Sequence, residues 1–99
     1  MLDFNNKEKT KKLLEEKAEL FKSIAHPVRL CILAMLIKEE QSNVTDIHCC
    51  LDVPQPTVSQ HLAKLKSAGI LSAERNGTEI IYKLKNEEVK KLILQILED

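Results

Sequence analysis

Apolar residues recur along this chain at two periods, and the places where the period changes mark the elements. Over residues 7–21, Leu13, Leu14, Ala18, Leu20 and Phe21, followed by Ile24, fall at helical spacing among Lys and Glu. This predicts a first helix. His26-Pro27 breaks the pattern, and Pro27 suits the first turn of a second helix. Val28, Cys31, Ile32, Met35 and Leu36 then stand at i, i+3, i+4, i+7 and i+8, which predicts a more buried helix over 28–38 with Cys31 on its apolar seam. Asn43 is placed to cap a short third helix reaching about Leu51, with Asp46 at the third position, where a carboxylate favours a helix start. A tight turn over 52–54 leads into a fourth helix that opens near Gln55, has Pro56 in its first turn and carries the seam Val58, Leu62, Leu65 and Ala68. Gly69 ends it. Residues 70–74 and 79–84 alternate as strands around Arg75-Asn76-Gly77-Thr78, and Asn-Gly is a strong hairpin signal. Asn86 caps a last helix with Val89, Leu92, Ile93, Ile96 and Leu97 on one face.

The fold class that follows is mainly α with a β-hairpin. Two short helices joined by a tight turn form a helix-turn-helix, and the hairpin after them makes it a winged helix-turn-helix. Ninety-nine residues suit one domain over 1–99, with 1–6 frayed. No apolar run approaches the length of a membrane span, and the charged N-terminus is not a signal peptide. Three cysteines make no disulfide framework and point to reduced thiols in the cytoplasm.

Net charge is zero, which taken alone counts against nucleic acid as a partner. Its distribution changes the picture. Residues 55–85 hold five basic side chains (Lys64, Lys66, Arg75, Lys83, Lys85) against two acidic ones, whereas 25–54 hold two against four, and 86–99 also two against four. The positive charge gathers around the fourth helix and the hairpin. The second helix of such a motif enters the major groove with its N-terminal residues against the bases. Gln55, Thr57, Ser59, Gln60, His61 and Lys64 lie there. Gln can bond adenine bidentately, and Ser and Thr can bond bases or phosphates. Lys64 and Lys66 are placed for phosphate and Arg75 for phosphate or the minor groove, and double-stranded DNA is the expected partner. The plainer alternative for any one of these residues is a solvated polar face.

The stretch Ala25-His26-Pro27-Val28-Arg29-Leu30-Cys31-Ile32-Leu33 resembles the A-x-P-x-R-L-x-I-L opening of the ArsR/SmtB family of bacterial repressors. Gln55-Pro56-Thr57-Val58-Ser59-Gln60-His61-Leu62, with Leu65 and Ala68-Gly69-Ile70, is similar to that family's recognition helix. Gly77 and Ile81-Tyr82-Lys83-Leu84 resemble its wing. The wording around Asn43-Val44-Thr45 and Pro54-Gln55 looks like the PagR-type members. Pro54 departs from the Ser common at its position. The resemblance covers about residues 24–97 and implies a homodimeric repressor that binds an operator and is released by an inducer.

The family's metal boxes do not carry over. Its Cys-Val-Cys-Asp box aligns with Asn43-Val44-Thr45-Asp46, which has no thiolate, and the last helix, where the family has Asp and His, contains no His. No metal and no cofactor is expected. Cys31, Cys49 and Cys50 remain as a possible thiol sensor, but the redox-sensing members pair a Cys on the second helix with one on the last, and this last helix has none. Cys49 and Cys50 are adjacent and point about 100° apart on a helix, and inert thiols are the better reading. Nothing completes a catalytic set around Cys49, Cys50 and His48, so the chain is not read as an enzyme. The first and last helices carry apolar stripes without an obvious partner in so short a chain. The stripes could simply close the core of one chain; the resemblance implies instead a two-fold interface made by the terminal helices, with Leu13, Leu14, Phe21, Val89, Leu92, Ile93 and Ile96 as its expected residues in a homodimer. The functional reading is a sequence-specific DNA-binding regulator acting as a repressor on an inverted repeat. A thiol-responsive repressor and a winged-helix module that binds protein instead of DNA stay open beside it.

Overall fold

Helix starts are set by side chains that accept the first free amides. A computed structural model describes residues 2–97, apart from the side chains of 48–51, and gives the order α1 (Lys7–Ile24), α2 (Pro27–Glu39), β1 (Ser42–Asn43), α3 (Val44–Leu51), α4 (Gln55–Ser67), β2 (Leu71–Asn76), β3 (Glu79–Leu84) and α5 (Glu87–Leu97). Asn6 accepts from the Lys9 amide at 3.1 Å, His26 Nδ1 from Val28 at 3.1 Å, Asn43 from Asp46 at 2.8 Å and Asn86 from Val89 at 3.0 Å. Each satisfies a donor that the helix cannot. Among the described helices α4 alone starts without a side-chain cap, because Pro54 holds that position. Its far end is closed by Gly69 at φ +76°, a left-handed conformation that costs glycine little, with the Ile70 amide returning to the Leu65 carbonyl at 3.0 Å.

These elements pack around one cluster. Ile24, Ile32, Leu33, Leu36, Ile47, Val58, Leu62, Leu65, Ile70, Leu71, Val89 and Ile93 are all buried. The cluster joins the end of α1 to α2, α3, α4, the root of the wing and α5. Val89 and Ile93 thus belong to the core of the single chain, and the expectation that they form a dimer interface is corrected: the inner half of the α5 stripe is already used. The Cys31 expectation is also corrected. The buried face of α2 is Ile32, Leu33 and Leu36, and Cys31 lies off that arc and is exposed.

The wing holds one more strand than the sequence predicts. β3 is central in an antiparallel sheet of order β1-β3-β2, with Ser42 opposite Tyr82 and Asn43 opposite Ile81. Two residues are too short for an alternation to show. The hairpin is shifted as well. Asn76 ends β2 opposite Glu79, so the two-residue loop is Gly77-Thr78, with Gly77 at φ +68°. Glycine in the first loop position suits the twist of a tight hairpin.

The N-terminal segment is better held than expected. The Asp3 carbonyl accepts from the Asn6 amide at 3.1 Å and from the Thr10 hydroxyl, so residues 3–6 form a turn on the start of α1. Even so, only Thr10 and Ile24 of the 18 residues of α1 are buried. The radius of gyration is 15.2 Å, against about 13 Å for a compact domain of ~100 residues. A Lys17–Glu88 ion pair at 2.7 Å ties α1 to α5 at the surface, where such a pair adds little.

Asn43 serves two elements at once. Its Oδ1 caps α3, and its Nδ2 donates to Glu79 Oε1 at 3.1 Å, linking the helix-turn-helix to the wing. Asn43→Ala is expected to cost about 1 kcal/mol of stability, read as a fall in thermal midpoint of about 4–8 °C. Asn43→Asp keeps the cap but faces Glu79 with a second carboxylate, so its loss should shrink at acid pH. An unchanged midpoint for Asn43→Ala would show that neither bond contributes.

Candidate nucleic-acid interface

Helical periodicity divides α4 into a buried side and a solvent side. Val58, Leu62 and Leu65 are fully buried, and each buried side chain of this size is worth roughly 1.5–3 kcal/mol. Gln55, Ser59, Gln60, Lys64 and Lys66 are exposed, and Thr57 is half-buried. One exposed strip runs through Gln55, Ser59 and Lys66, and the next through Gln60 and Lys64. The core therefore fixes the helix while two rows of hydrogen-bonding and basic side chains face outward. Arg75 is exposed on β2, opposite Ile80 and next to the wing loop.

The start of α4 offers little to a phosphate. Pro54 and Pro56 carry no N–H, and the Thr57 and Val58 amides both bond the Pro54 carbonyl, at 3.0 and 3.2 Å. At most the Gln55 amide is left, so phosphate binding falls to side chains instead of to a helix N-terminus.

His61 is placed differently from its expected role on the DNA face. It is half-buried, and its ring lies against that of His26, the residue that caps α2, with centroids 4.3 Å apart and planes at 40°. Its Nδ1 is buried without a hydrogen-bond partner. Burial first, then the positive fields of His26, Arg29 and Lys64, push the His61 pKa below its usual 6.5. Arg29 completes this corner, donating from Nη1 to the Ser23 carbonyl at the end of α1 at 2.9 Å. Sequence reading takes Arg29 only as part of a motif. A helical period cannot show that His26 and His61, thirty-five residues apart, meet.

On the question of sensing, the exposed Cys31 is on α2, and the side chains of Cys49, Cys50 and His48 lie outside the described residues. Among the described residues no three His, Cys, Asp or Glu side chains converge to hold a metal ion. No single helix among them is long and apolar enough to cross a membrane.

The depressed His61 pKa has a thermodynamic consequence of fixed sign. The unfolded chain binds a proton at this site at a higher pH than the folded chain does. Stability linked to His61 is therefore complete above pH 6.5 and is lost as pH falls from there through the folded-state value. Denaturant titrations across this range should show stability falling on acidification, and His61→Gln should flatten that part of the profile. Superimposable profiles would remove the assignment.

Comparison with known proteins agrees with this architecture. The family model described as bacterial regulatory protein, arsR family, matches residues 26–73, which span α2 to the wing. The transcriptional repressor PagR of Bacillus anthracis is 46% identical over 80 residues, covering 81% of this chain and 80% of that protein. The repressor SmtB of Mycobacterium tuberculosis is 39% identical over 84 residues, and the match spans 62% of its length. Among solved structures, PagR superposes with a TM-score of 0.78 at 44% identity, covering 86% of this chain and 97% of that one. Reduced HlyU of Vibrio cholerae gives 0.83 at 30% identity, covering 91% and 96%. With the buried seam of α4, its polar outer face and the adjoining wing, these likenesses establish that the chain belongs to the arsR family of bacterial regulatory proteins and is a winged helix-turn-helix transcriptional regulator.

Proposed function

We propose that the chain is a cytoplasmic repressor that acts as a homodimer, each copy placing α4 in the major groove of one half of an inverted repeat. The observation that carries the reading is the division of α4 between a fully buried seam and two exposed rows made by Gln55, Ser59 and Lys66 and by Gln60 and Lys64. Ser59 and Gln60 are taken as base-reading residues, since both can donate and accept. Lys64, Lys66 and Arg75 are taken as phosphate contacts, which fix register and bring salt dependence. Occlusion of a promoter by the bound dimer is sufficient for repression. The names of PagR and SmtB as repressors support that direction.

The case for a dimer rests on unsatisfied apolar surface. Leu14 is 50% exposed, Phe21 55% and Ile96 57%, and Leu94 and Leu97, on other sides of α5, are exposed as well. An 18-residue helix with two buried residues has little to hold it in water, because isolated helices of this length are marginal. The interface is therefore assigned to Leu14, Phe21 and Ile96, flanked by the half-buried Leu13 and Leu92. Two-fold symmetry then sets the recognition helices about one DNA turn apart, ~34 Å, or a multiple of it.

Two measurements test this reading. Ile96→Asp and Phe21→Asp should sediment as monomers and lose affinity for duplexes that the unaltered chain recovers from fragmented genomic DNA. Continued dimerisation of both would place the interface elsewhere. Lys64→Ala should weaken binding about equally on all sequences and lower the salt slope by about one phosphate, while Gln60→Ala should relax sequence choice, with ~1–3 kcal/mol of discrimination lost at one base pair. Unchanged salt slope and unchanged preference together would take α4 out of the groove.

A further inference from the structure

His61 has two features that a base-contacting side chain does not need. Its ring rests on His26, and its Nδ1 is buried without a partner. His26 uses its own Nδ1 to accept the Val28 amide at the start of α2, so its ring proton in the neutral form is on Nε2. Beside it, Arg29 donates to the Ser23 carbonyl, and its Nε is buried without a partner. Three helices thus meet at one corner: α1 through Ser23, α2 through His26 and Arg29, and α4 through His61. The contact falls at the middle of α4, one residue from Gln60 and two from Ser59.

We propose that His61 is a positioning residue for the recognition helix, seating α4 on His26 only while its imidazole is uncharged, so that DNA binding is weakened by acid. The proposal rests on the reading of α4 as the DNA-contacting helix. The groups whose charges act on His61 are His26 and Arg29 from α2 and Lys64 from α4. From α1, Glu16, Glu19 and Lys22 line the groove that Arg29 and Lys64 share. From α3 the described carboxylate is Asp46, in the first turn. No described carboxylate is among the groups acting on the ring.

Protonation sets an imidazolium against a second imidazole, a guanidinium and an ammonium group, and turns the buried Nδ1 into a donor with no acceptor. Relief comes from parting the two rings, which shifts α4 at its midpoint. Hydrogen bonds from Ser59 and Gln60 weaken steeply with such a displacement. Acid ordinarily favours DNA binding by adding positive charge to a protein, so a loss of affinity on acidification separates the positioning role from general electrostatics.

The test compares the unaltered chain with His61→Gln and with His26→Asn, which keeps a capping acceptor but removes the ring. Affinity for a duplex recovered from genomic DNA is measured at about pH 7.5 and about pH 5.5. The unaltered chain should bind more weakly at the lower pH, with a loss that grows toward about tenfold, for a one-unit difference in His61 pKa between free and bound states, as the pH falls below both values. Both variants should lose little. Parallel changes in all three proteins, or tighter binding by the unaltered chain, would overturn the proposal. A second arm needs no DNA: the His61 ring is titrated by NMR in the full chain, and the amide resonances of Gln55–Ser67 should follow it. A ring that titrates while those amides stay still would overturn the positioning role. If no duplex is recovered at any pH, the DNA-reading assignment of α4 fails, and this arm still decides whether His61 seats the helix.

Discussion

Everything outward-facing on this molecule depends on how α4 is seated. Val58, Leu62 and Leu65 are wholly buried among Ile32, Leu33 and Leu36 of α2 and Ile47 of α3. Rolling the whole helix out of this seam would expose several kcal/mol of apolar surface, which leaves room only for small shifts of α4. That constraint turns a flexible set of polar side chains into a fixed pattern. Gln55, Ser59, Gln60, Lys64 and Lys66 face solvent because the seam opposite them has no other place to go. Recognition of a base edge needs donors and acceptors held to within fractions of an ångström, and a packed core supplies that where a loop does not.

The same core leaves two helices incompletely used. α5 spends Val89 and Ile93 on the monomer and keeps Leu94, Ile96 and Leu97 exposed, while α1 spends little more than Ile24. One chain therefore leaves apolar surface exposed on α1 and α5, which the proposed two-fold pairing would cover. Asn43 adds a local tie. In the resemblance to the family it stands where a metal-box thiolate would, and here it caps α3 and bonds Glu79 of the wing, so one side chain joins the two elements within the chain.

Much of this was legible in the sequence because it rests on local rules. Asn43 and Asn86 cap where a capping residue before an apolar period says they should. The seam of α4 follows from Val58, Leu62 and Leu65 at helical spacing, and Gly69 from the need for a left-handed residue at the helix end. What the sequence hid depends on contacts between distant segments. β1 is two residues long and exists only because β3 lies beside it. Cys31 fits the helical period of α2 yet falls outside its buried arc, since a period gives spacing and not the width of the face. The α5 stripe could close a core or a dimer, and only packing divides Val89 and Ile93 from Ile96. The His26–His61 contact has no local signal at all.

The central claim is that the outer face of α4 lies against DNA bases while the exposed end of α5 faces another copy of the chain. Photoreactive side chains placed singly at Gln60 and at Ile96 test it most directly, with a bound duplex present. The position of Gln60 should capture DNA, at bases within one half-site, and the position of Ile96 should capture only protein of the same chain. DNA captured at Ile96 and none at Gln60 would contradict the claim.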